Sequence, residues 1–136
     1  MLEESFAVRF YETDALAHVS NTVLAGWFEA ARMPVFKLFT PELDLQNWPL
    51  ILARYNIDFH RQIFYGKDVT VKTGISRVGN SAFDVYQQVW QDGEMCASGS
   101  TTMVHFDYTR QSSAPIPDAI RAELDNLMVE VLTGGR

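Results

Sequence analysis

Eleven residues, Tyr11-Glu-Thr-Asp-Ala-Leu-Ala-His-Val-Ser-Asn21, bring a carboxylate, an imidazole and a carboxamide into one short polar stretch. The stretch runs into an apolar pattern of helical period that starts near Asn21. A helix N-terminus offers unpaired N–H groups and the positive end of a dipole, which suits a developing oxyanion. A carboxylate beside it, Asp14, can serve as general base or nucleophile. The same residue types also close turns and cap helices, and spacing alone leaves both readings open.

Other chemistries find less support. There is no Gly-rich phosphate loop, no G-x-S-x-G elbow and no H-E-x-x-H. His60 falls on a polar strand face and reads as solvated, while His105 reads as a satisfied core or interface histidine. Cys96, the single cysteine, has no basic neighbour to activate it and reads as packing. No disulfide or cysteine metal site is available to it, and no metal is expected. Eleven basic against seventeen acidic residues give a net charge of −6, which disfavours nucleic acid as a partner. No apolar run approaches the roughly 18 residues of a membrane span. The acidic start, Met-Leu-Glu-Glu-Ser, is unlike a signal peptide, so a cytoplasmic protein is expected.

The elements that must hold the polar stretch are legible. Residues 5–11 read as a strand with Phe6, Val8 and Phe10 on one face. From Asn21 to Phe39 a stripe of Leu24, Trp27, Phe28, Ala31, Val35, Leu38 and Phe39 marks a helix too apolar for a surface. Ser20 or Asn21 is its expected N-cap, Pro34 interrupts it, and Glu29 is expected to pair with Arg32 at i,i+3. Residues 51–65 alternate as one long strand, and three more follow: 69–76, 81–91 bracketed by the turns Gly79-Asn80 and Asp92-Gly93, and 95–108. The small residues Ala97 to Thr101 would let the helix approach closely. Pro115-Ile-Pro117 precedes an amphipathic helix over 118–131 with Ile120, Leu124, Leu127 and Val131 inward. Strands that cluster after the helix imply one α+β domain over residues 1–136, an antiparallel sheet curled around a central helix.

The run Val8-Arg-Phe-Tyr-Glu-Thr-Asp-Ala-Leu-Ala-His-Val-Ser-Asn21, followed by Trp27-Phe28-Glu-Ala-Ala-Arg32, resembles the signature of the hotdog-fold acyl-CoA thioesterases, in the subgroup of 4-hydroxybenzoyl-CoA thioesterase and its YbgC-like relatives. The likeness continues through Ile57-Asp-Phe59, Gly66-Lys-Asp68, Gly79-Asn-Ser81, Asp92-Gly93, Ala97-Ser-Gly99 and Pro115-Ile-Pro117. It implies a five-stranded antiparallel sheet in the order 1-3-4-5-2 around the helix, with a short C-terminal helix. It also implies hydrolysis of an acyl-CoA to acid and CoA, with no cofactor beyond the CoA of the substrate. Asp14 matches the family's catalytic aspartate, with His18 and Asn21 beside it. Ala17 and Ser20 stand where the family often has Gly and Asn. Tyr11 and Trp27 are candidates for the acyl group, and Arg61, Arg77, Lys72 and Ser81 for CoA. A homodimer or dimer-based tetramer is implied, paired through the strand over 51–65. A non-catalytic acyl-thioester binder, an acyl-carrier-protein thioesterase and a hotdog dehydratase are the rival readings.

Overall fold

The computed structural model describes residues 1–131 of the chain. Strands β1 (Leu2–Phe6), β2 (Leu50–Phe59), β3 (Val69–Val78), β4 (Ala82–Gln91) and β5 (Glu94–Asp107) form one antiparallel sheet in the order β1-β3-β4-β5-β2. A two-residue strand, β6 (Ser112–Ser113), pairs with the end of β5. Helices α1 (Val23–Ala31) and α2 (Met33–Phe39) lie in the curl of the sheet, and α3 (Asp118–Asp125) closes one end. This is the expected hotdog architecture. No described helix is long and apolar enough to cross a membrane.

The apolar stripe of the helices accounts for the core. Leu24, Trp27, Phe28 and Ala31 pack against Val69, Val71, Val89 and Ala97 beneath α1. Val35 and Phe36 pack against Ile75, Phe83, Val85 and Leu124 beneath α2. The small residues of β5 do what their sizes suggest. A Cβ on Gly99 would stand 2.8 Å from the Asn56 carbonyl oxygen and 3.1 Å from the Phe28 ring, so only hydrogen fits where α1 rests on the sheet. Asp92 and Gly93 both have positive φ, 55° and 77°, as a tight two-residue hairpin between twisted strands requires.

Three boundaries differ from the sequence reading, and the expected interruption of the long helix is met. The first strand ends at Phe6, and Phe10–Glu12 is a 3-10 turn that leaves Phe10 78% exposed. The long helix is two helices that break at Arg32, and Pro34 sits in the first turn of α2, where its missing N–H costs nothing. β2 stops at Phe59 because the following residues turn to bond Cys96, whose carbonyl accepts the His60 and Arg61 amides at 2.8 and 3.0 Å. The last helix stops at Asp125; Leu127 and Val129 instead bond Ile75 of β3, and Val131 is exposed.

The Glu29–Arg32 ion pair is absent as well. Arg32 is only 6% exposed and turns into the sheet, where Nη1 donates to Gln87 Oε1 and Thr101 Oγ1, both at 3.2 Å. Gln87, itself buried, donates from Nε2 to the Phe28 carbonyl at 2.9 Å and to Thr73 Oγ1 at 3.0 Å. This network fixes α1 over β3, β4 and β5. His60 is not merely solvated, since its Nε2 meets Ser98 Oγ at 2.9 Å; His105 is satisfied as expected, its Nδ1 facing the Ala114 and Pro115 carbonyls at 3.2 and 3.0 Å.

The Gly99 contact yields a direct test. Gly99→Ala should push Phe28 and the Asn56 carbonyl away and cost about 1–3 kcal/mol, as overpacked cores do. Urea denaturation measures it, and an unchanged midpoint would refute the packing account.

Candidate active site

The loop that carries Asp14 is built from its own backbone. Thr13 and Val19 pair across its base, and the Asp14 amide bonds the His18 carbonyl at 2.8 Å. Asp14 Oδ1 accepts the Leu16 amide at 2.8 Å and the His18 amide at 3.2 Å, an Asx-type closure. Oδ2 has no hydrogen-bond partner among the described residues. So the carboxylate both shapes the loop and keeps one oxygen for other use. Its pKa lies below the ordinary aspartate value, chiefly because the Leu16 amide bonds it and secondarily through His18; burial opposes the shift. Ala17 has φ +63°, so it keeps the left-handed backbone that glycine adopts freely. The alanine accepts that conformation at a cost of about 1–2 kcal/mol.

Two straps hold this loop. One is the segment after β2: the Val19 amide bonds the Ile63 carbonyl at 2.7 Å, the Tyr65 amide bonds the Ala17 carbonyl at 3.1 Å, and the His18 ring meets Phe64 edge-on at 5.0 Å. The other is Glu12, a residue the sequence reading passed over. Glu12 is 4% exposed; Oε1 accepts the Arg9 amide at 2.7 Å and Oε2 accepts Trp27 Nε1 at 2.9 Å. Its signal in the sequence is faint: an acidic residue in a segment otherwise read as strand and loop, far from the tryptophan whose N–H it takes.

The start of α1 is open. Its N-cap, Thr22, makes no side-chain cap; the Ser20 and Thr22 hydroxyls bond each other at 3.2 Å instead. The Val23 and Leu24 amides bond the Ser20 and Asn21 carbonyls, and among the described residues the Asn21 and Thr22 amides have no acceptor. The expected capping by Ser20 or Asn21 side chains is therefore not formed. What is formed is a carboxylate oxygen and unpaired backbone N–H groups on one exposed loop at the positive end of a helix, the components of acyl transfer.

The remaining predicted residues divide by location. Tyr11 is 78% exposed on the loop. Trp27 is in the core, stacked on Phe6 at 6.4 Å and tied to Glu12, so its ring packs inward rather than lining open space. Arg61 lies near the loop, in a groove of about 670 Å³ with Phe64, Tyr65 and Gln91, and pairs with Glu94 at 3.0 Å. Arg77 does not join this cluster. It is held on Asp84 by bonds of 2.9 and 3.3 Å. Asp84 precedes Gln91, which bonds the Phe64 amide, by seven residues of β4, about 23 Å. Ser81 is at that same far end, and Lys72 lies over the Trp90 ring at 4.5 Å. Cys96 is buried in the core, and burial pushes its thiol pKa up, as befits a packing residue. Within one chain the structure gathers Asp14, His18, Asn21, Tyr11 and Arg61, and leaves Arg77 and Ser81 apart.

Likeness to known proteins bears on this arrangement. The model of the thioesterase-like superfamily matches residues 8–124. A solved structure from Bacillus stearothermophilus, described as a predicted thioesterase, is 39% identical over 95% of this chain and 97% of its own, with a TM-score of 0.91. A thioesterase from Thermus thermophilus, solved with coenzyme A and zinc, is 30% identical over 90% of this chain and 95% of its own, with a TM-score of 0.80. The uncharacterized protein YsmA of Bacillus subtilis is 28% identical over 99 residues, 72% of this chain and 67% of its own.

The depressed pKa has a sign that can be checked. A carboxyl whose folded pKa is lowered stabilises the fold above its unfolded value and loses that contribution as pH falls. A chemical-shift titration of Asp14 should therefore give a midpoint below that of an ordinary aspartate. In Asp14→Asn the fall in melting temperature on acidification should be shallower. An ordinary midpoint would contradict the loop geometry.

Proposed function

The chain belongs to the thioesterase-like superfamily, and from that premise we propose that it hydrolyses an acyl-CoA to the free acid and CoA, with Asp14 as the reacting carboxylate. The observation that carries this reading is that Asp14 Oδ2 and the Asn21 and Thr22 amides, all without a hydrogen-bond partner among the described residues, share the one loop that leads into α1. Coenzyme A bound to the Thermus thermophilus relative supports CoA as the thiol carrier.

The thioester carbonyl oxygen takes hydrogen bonds from the Asn21 and Thr22 amides, which strengthen as the oxygen becomes anionic. Asp14 takes a proton from water, and the hydroxide adds to the carbonyl carbon. Collapse of the tetrahedral intermediate breaks the C–S bond, and the CoA thiolate leaves with the proton that Asp14 holds. Direct attack by Asp14 through an anhydride, then hydrolysis, gives the same products. The low pKa of Asp14 keeps it ionised at neutral pH, which serves a nucleophile fully and a base less so. His18 and Asn21 shape the loop and face the substrate; Tyr11 and Arg61 contact its acyl and CoA parts.

The working unit of this reading is a pair of chains joined through β2. That strand is ten residues long, occupies a sheet edge and exposes Leu52, Tyr55 and Phe59. Such an edge invites pairing with a second strand, and its own copy across a two-fold axis is the simplest partner. The Asp14 loop adds exposed Phe10, Tyr11 and Leu16, apolar surface suited to a subunit contact or an acyl chain.

Two measurements test the proposal. A screen of short, long and aromatic acyl-CoAs with free-thiol detection should find turnover, and Asp14→Asn should lower kcat by about 10²–10⁴-fold while the protein stays folded. A folded Asp14→Asn protein with parental turnover would overturn the mechanism. Light scattering should give two or four chains per particle, and activity per chain should fall on dilution below the dissociation constant. A fully active monomer would overturn the paired site.

A further inference from the structure

Arg32 is a buried cation with no ion-pair partner among the described residues. It is only 6% exposed, its partners Gln87 and Thr101 are neutral, and its Nε is buried with no hydrogen-bond partner among the described residues. Nη2 also lacks a partner among the described residues, so the whole Nε–Nη2 edge is unused. Burial lowers the Arg32 pKa, and the field of Glu29 offsets only part of that cost. Burying a guanidinium without a counter-charge is expensive, and a native fold that keeps one has a use for it.

The same residue lines a cavity of about 380 Å³ whose other walls include Met33, Phe36, Leu43, Trp48, Leu52 and Met103. This cavity lies at the C-terminal end of α1. The helix runs nine residues, about 14 Å, from its open start near the Asp14 loop, so within one chain the two sites are separate. Nε is sealed from solvent, so Nη2 is the donor of this guanidinium left to a carboxylate oxygen. Apolar walls match a hydrocarbon or aryl body and offer nothing to the remaining oxygens of a phosphate. We propose that this cavity binds a carboxylate carried on an apolar body, seated on Nη2 of Arg32 with its tail against Phe36, Trp48 and Met103. Glu29, exposed on the cavity wall and not within ion-pair distance of Arg32, tunes the affinity downward by like-charge repulsion.

Octanoate is the probe, titrated into the intact protein by calorimetry with 1-octanol as the uncharged control. Octanoate should bind saturably, one per chain, and octanol at least tenfold more weakly. Glu29→Gln should tighten octanoate several-fold. Leu45→Trp, on the exposed loop at the cavity wall, should abolish binding with an unchanged melting temperature, which separates loss of the site from loss of the fold. Arg32→Lys should weaken octanoate at least tenfold where it folds. Equal binding of octanol, no binding of octanoate, or full binding by Leu45→Trp would overturn the proposal. None of these readouts depends on hydrolysis. The origin of the carboxylate is read separately and rests on the hydrolase reading: a released acid acting here makes octanoate an inhibitor of turnover, whereas a substrate's own distal carboxylate, on a chain long enough to span the ~14 Å of α1, gives dodecanedioyl-CoA a KM at least tenfold below that of dodecanoyl-CoA.

Discussion

The hydrogen bond from Trp27 Nε1 to Glu12 Oε2 joins the two halves of this structure's chemistry. Trp27 is a core residue on the buried face of α1, and Glu12 closes the turn that leads into the Asp14 loop. A carboxylate at this depth must have its oxygens satisfied, and here one is held by the Arg9 amide and the other by the indole. The bond therefore sets the depth of the helix and the path of the loop together. Without it the segment over residues 63–65 would be the main strap left, and the loop's place relative to the start of α1 would loosen.

The other end of α1 obeys the same rule with different groups. Gln87 reaches from β4 to the Phe28 carbonyl and to Thr73, and accepts from Arg32, so one carboxamide makes three bonds at a site with almost no exposure. Close packing of Phe28 on Gly99 removes the remaining freedom. A helix pinned at both ends by buried polar groups is a rigid platform, and a rigid platform keeps its first amides in one place. That matters for acyl transfer, where donors that need no reorganisation contribute most. The strain at Ala17 belongs to the same economy: the loop bends where Asp14 needs it to, and the fold around it bears the cost.

Periodicity and residue type determined most of this protein. The shift from period two to 3.6 near Asn21, the strand runs, the two hairpin turns and the small residues of β5 yield the sheet, the buried helix and their order, because each follows from local geometry. Asp14 stood out because a carboxylate in a polar loop before an apolar helix is a local pattern too. Boundaries set by distant groups were out of reach. β2 ends at Phe59 because Cys96 offers its carbonyl to His60 and Arg61, and the last helix ends at Asp125 because Ile75 offers an edge to Leu127 and Val129. The inward turn of Arg32 away from Glu29, the burial of Glu12 against Trp27 and the separation of Arg77 from Asp14 were decided by tertiary structure alone. Which partner a polar group meets depends on contacts between residues 15 to 69 positions apart, and local sequence carries no record of them.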